Sequence, residues 1–142
     1  MIDFVQLTID GKPIKKVYAI GIKGSGLVSL AELLVSQGIS VSGSDTKEKF
    51  FTDHILEKLN IPFFENLSPN NIPTDADLII YSTAYNEENN VEYKTCKEKG
   101  LKCSAIRKFW RNFLTKNTGW RFAVRTAKRL RQRYWAWFYR RP

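Results

Sequence analysis

Three closely spaced glycines and one aspartate are the residues whose types and spacing point to chemistry in this chain. An apolar run at residues 17–20 leads into Gly21, Gly24 and Gly26, and Asp45 closes a second apolar run about 20 residues later. Glycines let a chain turn sharply and present bare N–H groups at the positive end of the next helix, where a phosphate binds. An acid after the second strand is placed to accept hydrogen bonds from a sugar hydroxyl or a base N–H. The spacing therefore predicts a nucleotide-binding βαβ unit.

Strands and helices alternate in the pattern of the first 104 residues. Apolar runs and their flanking turn residues predict strands at residues 4–9, 17–21, 39–43, 61–64, 78–81 and 101–104, and helices at 24–37, 51–59 and 91–99. Such alternation is typical of a parallel sheet with helices on both faces. The predicted fold is α/β, a Rossmann-like parallel sheet of about five strands followed by a basic tail that does not look native.

Charge divides the chain into two parts of different composition. Residues 1–104 hold 11 Lys and 14 Asp plus Glu, a net charge of −3, whereas residues 106–142 hold 12 Lys plus Arg and no acid, a net charge of +12. All nine arginines and all four tryptophans also lie in this second part. We therefore divide the chain into a domain at residues 1–104 and a basic, aromatic tail at residues 105–142.

Two interpretations of the tail stand side by side. As an arm for RNA or an anionic membrane surface, its cations would neutralise phosphate and its rings would stack, but arginines and aromatics fall on every face of a helical wheel. Alternatively the tail is out of frame. Shifting the reading frame back by one nucleotide lets residues 106–119 be read as YPEVLAEFLDKKYR and residues 120–142 as LAVCGTHGKTTTTAILGLVLPKA, which contains a phosphate loop for ATP. We adopt the second interpretation and expect no nucleic-acid partner.

The remaining reactive side chains do not form a recognisable site. Cys96 and Cys103 lack partner histidines in sequence and are predicted to be free thiols, and lone His54 is predicted to face solvent or to cap its helix. We therefore predict no catalytic residue and no metal site. No apolar stretch is long enough to span a bilayer and no signal peptide is evident, so we expect a cytoplasmic protein.

Residues 15–104 resemble the N-terminal domain of the Mur ligases. The resemblance rests on IGIKGSGLVSLAELL, VSGSD, DADLIIYSTA and GLKC, which occur in the family's order and spacing. Within the family the similarity is greatest to the ligases that join L-alanine to UDP-N-acetylmuramate. The out-of-frame reading of the tail would continue the resemblance into the family's ATP loop.

The resemblance implies that this domain binds the UDP part of UDP-N-acetylmuramate, whereas ATP and magnesium act in a central domain of the full-length enzyme. The fragment would hold no cofactor and would be inactive by itself. Position by position, four residues would face the diphosphate at the helix N-terminus, Asp45 would meet the uracil or ribose, and three residues would line the crevice beyond the fourth strand. The full set of substrate-binding positions is Gly21, Lys23, Gly24, Ser25, Gly26, Leu27, Asp45, Ser82, Thr83 and Ala84.

Four of these positions also have a purely structural interpretation. Gly24 and Gly26 would serve close helix packing, Asp45 would cap the next helix, and Ser82 would satisfy backbone groups. Lys23 departs from the family, which typically has glycine there: its ammonium would contact the diphosphate, or its stem would block close approach of the backbone.

Two other functions fit parts of the sequence. A stand-alone dinucleotide-binding or sensing module would show a similar glycine loop and a similar Asp45, and protection by NAD would identify it. An adaptor that works through the tail would bind nucleic acid or membrane with an affinity that falls steeply with salt. The sequence does not define an oligomeric state.

Overall fold

The computed structural model describes the backbone of residues 8–116 and the side chains of residues 8–112. The predicted strand at residues 4–9 lies partly outside the described residues, and most of the basic tail lies outside them. The strands are β1 (Thr8–Ile9), β2 (Lys12–Pro13), β3 (Lys16–Ile20), β4 (Ser40–Ser44), β5 (Phe63–Phe64), β6 (Leu78–Tyr81) and β7 (Cys103–Ala105). The helices are α1 (Ser25–Ser36), α2 (Phe51–Lys58), α3 (Val91–Glu98) and α4 (Ile106–Lys116), with a short 3-10 helix at Pro69–Asn71.

Five of these strands form one parallel sheet in the order β5-β4-β3-β6-β7. β3 lies at its centre, where Val17 pairs with Val41 on one side and Leu78 on the other. β1 and β2 form a separate antiparallel hairpin. The predicted α/β class with a five-stranded parallel sheet is confirmed.

Two apolar layers cover the two faces of the sheet. Alternate residues of β3 point to opposite sides, so that Val17 and Ala19 join one cluster while Tyr18 and Ile20 join the other. The first cluster is closed by α1, α2 and Phe109 of α4, and the second by α3. Helices therefore lie on both faces, as the alternation of elements predicts.

Three predicted strands begin too early because their first residues close the preceding helix. Ile39, Ile61 and Leu101 each donate a backbone N–H, at 3.0 Å, to a carbonyl five residues back in the preceding helix. The residue before each, Gly38, Asn60 or Gly100, has a positive φ. This is the Schellman ending of a helix, and it moves the starts of β4, β5 and β7 towards the C-terminus.

Helix α4 lies beyond the predicted domain boundary at residue 104, yet it contacts the sheet. Phe109 is only 8% exposed, and Ile106 and Trp110 pack against the same apolar cluster as α1. The first part of α4, residues 106–110, thus contributes to the core. The boundary itself stays a prediction.

At the amino-terminal ends of the strands, opposite the glycine turn, one carboxylate joins two neighbouring strands. Asp77, directly before β6, accepts hydrogen bonds from the backbone N–H groups of Lys15 at 2.8 Å and Lys16 at 2.9 Å. These two bonds hold the pKa of the Asp77 carboxyl below its ordinary value of 3.8. Asp77 therefore joins the start of β6 to the start of β3.

We predict that Asp77→Asn makes the free energy of unfolding fall less steeply as the pH is lowered. A carboxyl whose pKa is lowered on folding contributes stability above its unfolded pKa and loses it as the pH falls through the folded value. Urea unfolding at about pH 5 and about pH 3 should show a smaller loss for the variant than for the native protein. Glu88→Gln, which removes an exposed carboxylate elsewhere, should keep the native pH dependence. An unchanged profile in Asp77→Asn would contradict this role.

Candidate nucleotide-binding site

The turn after β3 is bound to the end of β4 by three consecutive backbone N–H groups. Those of Gly21 and Ile22 donate to the Ser44 carbonyl at 2.8 and 3.1 Å, and that of Lys23 donates to Asp45 Oδ2 at 2.8 Å. The position of the turn is therefore set by β4 as well as by β3.

The turn leads into an exposed helix N-terminus that carries no side-chain cap. Gly24 is the N-cap of α1 with an extended backbone (φ −61°, ψ 137°), and no side chain accepts a hydrogen bond there. Gly24, Ser25 and Gly26 are exposed, whereas Leu27 is buried in the core. The first N–H groups of a helix have no partner within the helix and lie at the positive end of its dipole. This end of α1 is therefore suited to hold an anion.

Asp45 is 6% exposed, and both of its carboxylate oxygens accept hydrogen bonds from the protein backbone. Its Oδ1 accepts from the Thr46 N–H at 2.7 Å, while its Oδ2 accepts from the turn. The interpretation in which Asp45 caps the next helix is wrong, because the N-cap of α2 is Phe50 and lacks a side-chain cap. Asp45 holds the turn and the start of the following loop in one arrangement.

Ser82, Thr83 and Ala84 follow β6 at the same edge of the sheet. The Ser82 N–H donates to the Ile20 carbonyl at 3.1 Å, and its Oγ accepts from the Ala84 N–H at 3.3 Å. Ser82 is half-buried, whereas Thr83 and Ala84 are exposed. Ser82 thus satisfies backbone groups of its own turn, and the next two residues form an open rim beside the glycine turn.

Tyr85 is a residue of this site that the sequence analysis missed. A Cβ built on Gly21, whose φ is +84°, would lie 2.6 Å from Tyr85 Cε2, so the ring covers the turn closely. Burial raises the pKa of the Tyr85 hydroxyl, and so do the nearby charge of Asp45 and the hydrogen bond to it. The sequence did contain one sign of this role, an aromatic residue directly after Ser82, Thr83 and Ala84.

β4 contains a glycine, Gly43, at a position where a side chain has no room. A Cβ there would overlap the Ala19 carbonyl and would lie 2.8 Å from Ile22 Cδ1. The close approach of β4 to the turn therefore requires glycine in the VSGSD segment.

The Lys23 side chain points into the protein. It is 1% exposed, and its ammonium donates to the carbonyls of Thr46 at 3.0 Å and Glu48 at 2.8 Å. The direct contact with a diphosphate that the sequence suggested would require the ammonium to leave these partners.

The other reactive side chains lie away from this edge or form no site. Cys96 and Cys103 are free, as predicted, and a hydrogen bond between the two thiols raises the pKa of Cys96 and lowers that of Cys103. His54 is exposed, as predicted. Within residues 8–116, no group of three or more His, Cys, Asp or Glu side chains is placed to hold a metal ion. No helix in that range has the length and apolar character needed to cross a membrane.

We predict that Gly21→Ala costs more stability than Gly11→Ala. Both glycines have positive φ, +84° and +75°, but a Cβ at Gly11 meets nothing within 4 Å. The strain of the left-handed backbone, about 1–2 kcal/mol, is shared, so the excess at Gly21 measures the clash with Tyr85, roughly 1–3 kcal/mol.

Urea unfolding of both variants, repeated in a Tyr85→Ala background, isolates this contact. The excess cost at Gly21 should shrink when the ring is absent. Equal costs for the two glycines in the native background would show that Tyr85 does not press on the turn.

Comparison with known proteins agrees with the fold. The family model described as "Mur ligase family, catalytic domain" matches residues 16–117. UDP-N-acetylmuramate--L-alanine ligase of Treponema pallidum (strain Nichols) is 42% identical over 86 residues, which are 61% of this chain and 18% of that protein. The Streptococcus mutans enzyme of the same name is 38% identical over 104 residues, 73% of this chain and 23% of its own length. The chain thus spans about a fifth of the length of the curated relatives it matches.

Solved structures give the same result. The crystal structure of UDP-N-acetylmuramate-alanine ligase from Thermotoga maritima superposes with a TM-score of 0.64 and 29% identity, covering 71% of this chain and 23% of that one. UDP-N-acetylmuramate:L-alanyl-gamma-D-glutamyl-meso-diaminopimelate ligase from Neisseria meningitides has a TM-score of 0.62 over 74% of this chain and 31% of that one; at 23% identity it shows the fold alone. Since the family model matches well over half of the chain, the protein belongs to the Mur ligase family.

Proposed function

We propose that this chain is the UDP-N-acetylmuramate-binding part of a cytoplasmic ligase that joins L-alanine to UDP-N-acetylmuramate in peptidoglycan synthesis. The observation that carries the proposal is the exposed, uncapped N-terminus of α1. It lies at the carboxyl edge of a parallel sheet, where α/β folds bind their ligands. The names of the relatives supply the chemistry of the ligand.

In this proposal the diphosphate binds the first turn of α1. The N–H groups of Ser25, Gly26 and Leu27 have no acceptor within the helix and are aligned with its dipole, so two linked phosphates gain charge-assisted hydrogen bonds there. Gly24 and Gly26 are both exposed, and they also serve packing, since a Cβ at position 24 would lie 3.3 Å from the Gly21 carbonyl and one at position 26 would lie 3.3 Å from Ile106 Cδ1. The diphosphate site therefore needs no side-chain cation.

The nucleoside would extend from the turn towards the segment after β4. Asp45 accepts two backbone N–H bonds, one on each oxygen, and a third hydrogen bond from the Tyr85 hydroxyl. A carboxylate has about four lone-pair positions, so one would be left for a sugar hydroxyl or base N–H. Thr83 and Ala84 would form the opposite rim. The ten positions carried over by resemblance thus divide between groups that would touch the ligand and groups, such as Lys23 and Ser82, that hold the edge in place.

Activation by ATP and magnesium is assigned to other parts of the full-length family enzyme. Residues 8–116 hold no group of three or more metal-binding side chains, and the sequence has no in-frame Gly-Lys-Thr phosphate loop. We therefore expect the 142-residue chain to bind the nucleotide substrate without turning it over.

We predict that UDP-N-acetylmuramate, but not NAD, binds this chain and that Ser25→Asp weakens the binding about tenfold or more, a cost of at least ~1.4 kcal/mol. An acid in the first turn of a helix stabilises the helix but repels a diphosphate at the same N–H groups. Binding is read by titration calorimetry and by the shift in thermal unfolding with ligand.

The matched control is Ser40→Asp, which adds the same charge on an exposed residue at the opposite end of β4. It should leave the affinity within about twofold, since its charge is screened and distant. Equal weakening by both variants would contradict a site on α1. Stabilisation by NAD and not by the UDP-sugar would identify a dinucleotide-binding module.

A further inference from the structure

Lys23 is a buried cation that touches the segment after β4 at several points. Its Nζ donates to the carbonyls of Thr46 and Glu48, lies 3.3 Å from Glu65 Oε1 and 3.4 Å from Asp53 Oδ2, and sits 5.4 Å above the ring centroid of Phe63. Carbonyls, carboxylates and an aromatic face are all partners that attract a positive charge. The surroundings of Nζ form a cation site filled by the protein's own ammonium.

The backbone of Lys23 is tied to the same segment. Its N–H donates to Asp45, and its carbonyl accepts from Thr52 Oγ1 at 2.6 Å. One residue of the glycine turn thus contacts the start, the middle and the end of residues 45–53. We call residues 46–50, between β4 and α2, the β4–α2 loop.

The acids around Nζ depend on this ammonium. Asp53 is 7% exposed, and within the described part of the chain neither of its carboxylate oxygens has a hydrogen-bond partner. Its partners are ion pairs: Lys23, and Lys49 at 3.8 Å, whose side chain is 73% exposed. Without the buried ammonium, Asp53 and the two loop carbonyls would lose their compensating charge.

We propose that Lys23 is a positioning residue that acts as a built-in cation: its ammonium holds the β4–α2 loop against the glycine turn and so fixes Asp45 at the nucleoside end of the site. The part that concerns the ligand rests on the proposed function. Lys23 itself does not touch the nucleotide. Its role is to keep the acceptor at Asp45 and the donors of α1 in one fixed relation.

The experiment replaces the tethered ammonium with a free one. In Lys23→Ala the stem and charge are removed, and n-propylammonium added to the buffer has the size and charge of the missing part. 1-Propanol has nearly the same size without the charge, and Lys23→Met keeps the stem so that no amine can enter. The position of the β4–α2 loop is read, without nucleotide, from amide hydrogen exchange at residues 23 and 46, whose N–H groups both donate to Asp45, and the Kd for UDP-N-acetylmuramate is measured alongside.

We expect Lys23→Ala to speed exchange of the amides of residues 23 and 46 at least tenfold relative to those of α3 and to raise the Kd at least fivefold. Propylammonium should reverse most of both changes, whereas propanol should not, and Lys23→Met should respond to neither. Rescue by propanol as strong as by the amine would reduce Lys23 to a packing role. Native exchange in Lys23→Ala would overturn the proposal.

A second variant covers the case in which Lys23→Ala does not fold. Lys23→Met combined with Asp53→Asn removes both buried charges and keeps both shapes, so we expect it to fold with fast amide exchange at residues 23 and 46 that no amine reverses. Native exchange rates at residues 23 and 46 in this double variant would contradict the cation role. If the native chain does not bind UDP-N-acetylmuramate, the proposed function fails, and the exchange and rescue results obtained without nucleotide still decide the role of Lys23.

Discussion

The binding edge depends on the attachment of the glycine turn to the end of β4. Three successive N–H groups of the turn donate to Ser44 and Asp45, and that of Gly24 donates to the Gly21 carbonyl. The turn thereby places the uncapped start of α1, with its first N–H groups, at the exposed end of the sheet. Gly43 makes the attachment possible because a side chain there would overlap the turn. A loop held by three backbone hydrogen bonds is preorganised, so a ligand would lose little affinity to the cost of ordering it.

The end of β4 is itself held from the other face of the sheet by a buried carboxylate. Glu92, in the first turn of α3, is fully buried; it accepts a hydrogen bond from Ser44 Oγ and contacts the Tyr18 hydroxyl at 3.4 Å. Its other oxygen accepts from the Ser68 N–H at 3.0 Å and Asn71 Nδ2 at 2.9 Å. Ser44 thus links two hydrogen-bond networks: its carbonyl accepts from the N–H groups of the glycine turn, and its hydroxyl donates to Glu92. The central strands, α3 and the loop before β6 are joined at the point where the site begins.

Local patterns in the sequence predicted the sheet and the glycine turn but not the contacts between distant segments. The strand at residues 78–81 is observed as predicted because its apolar run is bounded by polar residues, whereas three other strands start later because helix endings use their first residues. Tyr85 and Glu92 were missed because the residues that join them to the central strands lie far away in sequence: Asp45 is 40 positions from Tyr85, and Ser44 and Tyr18 are 48 and 74 positions from Glu92. No local period encodes such a pairing. The sequence also did not show where the Lys23 side chain points, since a long flexible side chain reaches either a ligand or an interior acid. In this fold it points inward, because buried Asp53 needs the ammonium as its counter-charge.

The central claim is that the uncapped start of α1, fixed by β4, is where the nucleotide substrate binds. The most direct test is residue-resolved: backbone amide NMR spectra of the chain recorded during titration with UDP-N-acetylmuramate. The account predicts that the largest saturable shifts occur at residues 24–27, with smaller ones at Asp45 and at residues 82–84, and that α3 and the β1–β2 hairpin stay unchanged. Saturable shifts confined to surfaces away from this edge, or none at all, would contradict it.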